Sequence, residues 1–227
     1  MLVLLHGALR SGQVFLEGLA PYRAWADVLV PDLPGSGRSE SPLAAGIEAL
    51  ADDIVSLVRG RLPGRRPTLV GESAGGLVAL ACCDGRLPGA SLVLLDPPLS
   101  MAKQWAVQRN IGPHARQSRD WFPTAQAQAV FGLDAQTGML EERLYYPLFR
   151  ALAAPCLILH GDTPLFPVRT ADRVPNCFDE VDATIVRLLR PDCRIERLDA
   201  CGHLVFQEGG LRCHDRIRAF ARDTTHG

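Results

Sequence analysis

Short apolar runs recur along this chain, with segments of helical character between them, and this rhythm limits the possible folds more than any other feature. The runs are Leu2–Leu5, Ala26–Val30, Pro67–Val70, Ser91–Leu95, Cys156–His160 and Arg194–Leu198. Most are continuously apolar rather than alternating, the pattern of parallel strands covered by helices on both faces. Helices fit Gln13–Ala20, Gly46–Arg61, Ala74–Asp84, Ala183–Arg190 and Gly209–Arg222. In the second of these, Ile47, Leu50, Ile54, Leu57 and Val58 mark one face at helical spacing, and Pro63 and Gly64 close it. The alternation predicts an α/β domain, and 227 residues suit a single one.

The segment 97–154 breaks the rhythm. It is rich in aromatics, with Trp105, Trp121, Phe122, Phe131, Tyr145, Tyr146 and Phe149. More than fifty residues is too long for a simple loop, so a small helical cap over one end of the sheet is expected here. The core would then comprise residues 1–96 and 155–227.

Composition removes several classes of function. With 47% hydrophobic and 22% charged residues the chain reads as an ordinary globular protein. A net charge of −1 without a basic block gives no electrostatic support for nucleic acid or an anionic membrane. No apolar run approaches the ~20 residues of a spanning helix. The start, "MLVLLHGALRSG", has neither the basic region nor the apolar length of a signal peptide. Seven cysteines, two of them adjacent and none in a CxxC pair, suggest free thiols in a reducing cytoplasm. Cys201 and His203 are too few ligands for a metal site, and no cofactor motif appears.

The stretch "LVGESAGGLVAL", Leu69 to Leu80, carries the chemistry. Gly71-Glu72-Ser73-Ala74-Gly75 is G-x-S-x-G at a predicted strand-to-helix junction. A sharp turn there lifts the Ser73 hydroxyl above the sheet, and the flanking glycines remove side chains that would clash. Three further motifs follow in order with it: "LVLLHGALRSG", "VPDLPGSGRS" and "LDACGHLVFQE".

With these four motifs the chain resembles the α/β-hydrolase superfamily from end to end, most closely its small esterase-like members with an HG loop. The resemblance implies a three-layer fold. The first strand here corresponds to the one the family usually places third, so about six parallel strands in the order 2-1-3-4-5-6 are expected. It also implies roles: Ser73 as nucleophile, His203 as general base, and the backbone amides of Ala8 and Ala74 as oxyanion hole. His6 would support its loop rather than react. Trp105, Trp121 and Phe122 are expected to line the mouth of an apolar substrate pocket.

The acid departs from the family pattern. The usual G-x-x-D after the penultimate strand reads "GDTP" here, with Pro164 at the acid's place and Asp162 one residue after Gly161. "LVLLDPP" instead puts Asp96 at the end of the fourth strand, where certain haloalkane dehalogenases carry theirs. Asp96 is the expected acid and Asp162 the alternative; another carboxylate, or none, stays open. A serine nucleophile excludes dehalogenase and epoxide hydrolase chemistry, which needs a carboxylate. The expected activity is cleavage of a small carboxylic ester or thioester through an acyl-enzyme. A C–C or amide bond on the same triad, or a low-turnover ligand-binding homologue, are the alternatives.

Overall fold

A computed structural model describes residues 1–40, 46–104, 128–134, 137–168 and 171–225. Its centre is a parallel sheet of β1 (Leu2–Leu5), β2 (Val28–Leu29), β3 (Thr68–Glu72), β4 (Ser91–Leu95), β5 (Cys156–His160) and β6 (Arg194–Arg197). The strand order is β2-β1-β3-β4-β5-β6, so β3 lies between β1 and β4. The expected order holds, and every named pairing is parallel.

The uninterrupted apolar runs find their explanation in the two faces. Successive strand side chains point to opposite sides. Val3, Leu5, Leu69, Leu92, Leu94 and Ile158 pack on one side with α2 (Ile47–Arg61), α3 (Ala74–Cys82) and α5 (Glu180–Leu189). Leu2, Leu4, Val70, Val93, Leu95, Leu157 and Leu159 pack on the other with α1 (Ala20–Arg23), the 3₁₀ turn Gly12–Gly18 that precedes it, and α6 (Val205–Thr225). Helices cover both faces of the central strands, so Leu2–Leu5, Leu92–Leu95 and Cys156–Leu159 are apolar at every position, whereas the edge strand β6 carries Arg194, Glu196 and Arg197.

Three helices depart from expectation for local reasons. The helix expected over Gln13–Ala20 is the 3₁₀ turn followed by the short α1, because Pro21 lacks a donor and clashes with a preceding helical turn. α5 begins at Glu180, earlier than expected, on a capping box: the Asp179 side chain accepts from the Val181 and Asp182 amides, and Asp182 accepts from the Asp179 amide. α6 begins at Val205 and runs past Gly209-Gly210, with a non-helical break at Gly210 (φ 50°, ψ −131°) that only glycine adopts readily.

Within 97–154 the described residues include a 3₁₀ turn (Met101–Gln104) and α4 (Leu148–Ala151). Met101, Phe131, Tyr145 and Phe149 join the core on the α2–α3–α5 face. Lys103 reaches Asp179 and Asp182 at 2.8 and 2.7 Å, tying this segment to the start of α5. Trp105, Trp121 and Phe122 lie outside the described residues. No helix among the described residues is long and apolar enough to cross a membrane.

Candidate active site

The carboxyl ends of β1, β3, β4 and β5, with the turn after β6, converge above the sheet. The turn from β3 to α3 explains why the sequence carries glycines on both sides of Ser73. A Cβ on Gly71 would stand 2.4 Å from the Gly75 carbonyl oxygen, and one on Gly75 would stand 2.3 Å from that of Leu5. Only bare backbone lets α3 begin so close to β1 and β3. Ser73 itself sits at φ 53° and ψ −123°, and its amide donates to the Leu95 carbonyl at 2.9 Å. Strand β4 thus anchors the serine.

His203 comes from the turn between β6 and α6. Its amide donates to the Val174 carbonyl at 2.9 Å. Its Nε2 lies 3.0 Å from Ser73 Oγ, and its Nδ1 lies 2.5 Å from Asp96 Oδ2. Asp96, at the end of β4, is fully buried. Its carboxylate is cradled by backbone: the Cys177 amide donates to Oδ2 at 2.7 Å and the Phe178 amide to Oδ1 at 3.1 Å. These residues precede α5, whose cap Lys103 holds. The one signal in the chain that points toward the cradle is the Asp179–Asp182 capping pattern; nothing marks residues 177 and 178 themselves.

The alternative acid is elsewhere. Asp162 accepts from the Ala200 and Cys201 amides at 2.9 and 3.1 Å. It braces the turn that leads into His203. Partial burial opposes its charge, but the two amides hold the carboxyl below its ordinary range.

Strain gathers around the same place. Leu9, Ser73, Asp96 and Ala200 are the non-glycine residues with positive φ among the described residues, at 59°, 53°, 46° and 52°. One follows Ala8 in the HG loop, two are Ser73 and Asp96 themselves, and the last stands three residues before His203. Such conformations cost about 1–3 kcal/mol each and persist where the surroundings over-determine them, as active sites do.

The HG loop closes the other side. A Cβ on Gly7 would meet Ser73 Cβ at 3.2 Å, so this loop lies against the serine. His6 is fully buried; its Nε2 accepts from the Leu33 amide at 2.9 Å and its Nδ1 faces the Gly7 carbonyl at 2.8 Å. Burial keeps its imidazole below the ordinary pKa, hence neutral, as the Leu33 contact requires. Ala74 is the first residue of α3, so its amide has no intrahelical acceptor. Glu72, a variable position of the G-x-S-x-G pattern and so without a signal of its own, is also buried. Its Oε2 accepts from Arg10 Nη1 at 2.7 Å, which pins the HG loop to the end of β3. Burial pushes the Glu72 carboxyl up, and Arg10 opposes that.

Electrostatics favour a charge-stabilised imidazole. Burial disfavours the His203 imidazolium, but the neighbouring Cys177 sulfur and the Asp96 carboxylate outweigh it and raise the pKa well above the ordinary value. The arrangement can therefore accept a proton at Nε2 and hold the resulting cation at Nδ1.

Known proteins agree with this architecture. The "Magnesium-chelatase 30 kDa subunit" of Rhodobacter capsulatus is 38% identical over 82 residues, 35% of this chain. The match spans 28% of the length of that relative. Among solved structures, a thermophilic esterase from Thermogutta terrifontis superposes with a TM-score of 0.72 at 21% identity, covering 98% of this chain and 89% of that one. MenH from S. aureus superposes with a TM-score of 0.70 at 19% identity, covering 99% and 94%. At such identities these two likenesses speak for the fold. The model of the alpha/beta hydrolase family matches residues 2–216. Matched along nearly its whole length, the chain belongs to the alpha/beta hydrolase family.

Proposed function

We propose that the chain hydrolyses a small carboxylic ester or thioester through an acyl-enzyme on Ser73. The observation that carries this reading is the unbroken line from Asp96 Oδ2 to His203 Nδ1 (2.5 Å) and from His203 Nε2 to Ser73 Oγ (3.0 Å). A serine hydroxyl is a weak nucleophile until a positioned base takes its proton. Here Ser73 Oγ attacks the substrate carbonyl carbon as its proton passes to His203 Nε2. Asp96 holds the imidazole in the tautomer that leaves Nε2 free to accept, then stabilises the cation. The carbonyl oxygen becomes an oxyanion facing the amides of Ala8 and Ala74, where one such donor is worth about 3–4 kcal/mol in the transition state. Collapse expels the alkoxide or thiolate, which takes the proton from His203. Water repeats the sequence on the acyl-enzyme and releases the acid.

The esterase likeness supports an ester as first substrate class to examine. A fluorophosphonate probe should label Ser73 and no other residue, mapped by peptide mass spectrometry. A panel of p-nitrophenyl esters and acyl-CoA thioesters should then show turnover that the probe abolishes. Labelling without turnover of any ester or thioester would overturn the substrate class but keep the activated serine. Absence of labelling would overturn both.

A further inference from the structure

Cys177 forms no bond through its sulfur in the proposed acyl transfer, yet that sulfur lies beside His203 and Asp96. Its sulfur, a ring nitrogen of His203 and a carboxylate oxygen of Asp96 all lie within 4.8 Å of one another. Its backbone amide is already bound to Asp96 Oδ2, so the residue is fixed beside the acid. Cys201, nearer to His203 in the chain, turns its sulfur to the Gly202 carbonyl instead.

We infer that Cys177, His203 and Asp96 form an inhibitory binding site for a thiophilic divalent cation, zinc above all. The inference rests on the triad reading above. Thiolate, imidazole and carboxylate together are a zinc donor set, whereas magnesium and calcium favour oxygen alone. Donor atoms on a tetrahedral zinc lie about 3.3–3.6 Å apart, given its bond lengths. The His203–Asp96 pair must therefore open from 2.5 Å while the sulfur closes in. A bound cation displaces the Cys177 thiol proton to solvent. One thiolate and one carboxylate then neutralise the metal's two charges, which suits a site where Asp96 is fully buried. Three protein ligands leave a fourth position for water.

Inhibition follows from the tautomer. The metal shared with Asp96 sits on Nδ1, the nitrogen that faces that carboxylate. The ring's remaining proton is then on Nε2, pointing at Ser73 Oγ. That nitrogen donates where catalysis needs it to accept, and the serine keeps its proton.

The test uses the full chain with Zn²⁺ and Co²⁺ alone. One equivalent of Co²⁺ should give the thiolate-to-cobalt charge-transfer absorption, absent in Cys177→Ser, Cys177→Ala, Asp96→Asn and His203→Ala. Zn²⁺ should inhibit hydrolysis, and a chelator should restore it. Relative to its own metal-free rate, Cys177→Ser should need at least ~10-fold more Zn²⁺ for the same inhibition, since a hydroxyl is a far poorer zinc ligand than a thiolate. Equal sensitivity in wild type and Cys177→Ser would place the metal elsewhere and overturn the proposal. So would a cobalt signal that survives the loss of Cys177, or no saturable signal at all. If the protein cleaves no ester, the hydrolytic reading fails separately, and the cobalt spectra still decide the site. A Cys177 variant that does not fold leaves the Asp96 and His203 variants to decide it.

Discussion

Replacing Asp96 by asparagine removes one oxygen from a site where two oxygens serve three donors. Oδ2 takes the Cys177 amide at 2.7 Å and His203 Nδ1 at 2.5 Å, and Oδ1 takes the Phe178 amide at 3.1 Å. Asparagine has two ways to sit. With its oxygen in the Oδ2 place, its NH₂ faces the Phe178 amide, donor against donor. With its oxygen in the Oδ1 place, its NH₂ faces both the Cys177 amide and His203, and the imidazole must turn to the tautomer with Nε2 protonated. Either way one buried backbone donor is orphaned, costing about 1–3 kcal/mol of stability. At about 2–4 °C per kcal/mol for a chain of this size, the melting temperature should fall by about 2–12 °C. Either way, too, the imidazolium loses its counter-charge. The equivalent change in a serine protease costs about 10⁴ in rate, so kcat should drop by about 10³–10⁴, or about 4–5.5 kcal/mol. The assay is steady-state hydrolysis of the best p-nitrophenyl ester, with circular dichroism to confirm that the variant is folded. Asp162→Asn is the control. It disturbs a solvent-exposed turn and should cost far less. A folded Asp96→Asn enzyme with more than about a tenth of wild-type kcat would refute the argument, as would an equal loss in Asp162→Asn.

Three further outcomes are expected. Ser73→Ala should fold normally and retain under ~1% of activity, since losing such a nucleophile costs several orders of magnitude; greater residual turnover would remove the covalent role. The acid limb of kcat/KM should have its midpoint above 6.5, because the raised His203 pKa delays formation of the neutral base as pH rises; a midpoint at or below that value would contradict the electrostatics. The same shift stabilises the fold, with the contribution complete below the unfolded pKa and lost as pH rises through the raised folded value. Gly75→Ala should be among the most destabilising single changes, by ~3 kcal/mol or more, because its Cβ would stand 2.3 and 2.4 Å from the Leu5 and His6 carbonyl oxygens and backbone must move; a thermal melt unchanged within 2 °C would show that the turn yields freely.

Several features are legible in the chain itself. The apolar runs read as strands because both sheet faces are covered, and their order is the one the family resemblance implies. Leu2–Leu5, Ser91–Leu95 and Cys156–His160 are strands over the residues that the pattern marks. Ser73 is flagged by glycines whose absent side chains the packing demands. Asp96 stands out because it directly follows the apolar run of β4, where some members of the family that the chain resembles carry the acid. Boundaries are less legible where two local signals compete. Gly209-Gly210 reads as a helix start, but tertiary packing carries α6 across the break. Pro21 divides what the apolar pattern joins.

Other features belong to the tertiary structure alone. The sequence by itself marked Ser73 and His203 and left Asp96 and Asp162 competing as the acid. It did not determine that 130 positions of chain between Ser73 and His203 close to 3.0 Å. Nor could it show that residues 177 and 178 lend their amides to Asp96, since a backbone donor has no side-chain signature. Cys177 falls beside His203 and Asp96 for the same reason: it comes with the loop that supplies those amides. The positive φ angles at Leu9, Ser73, Asp96 and Ala200 are likewise invisible in residues that ordinarily avoid them. Propensity and periodicity act over a few neighbours, whereas strain of this kind is sustained only by packing from β1, β3, β4 and the turn before α6 together.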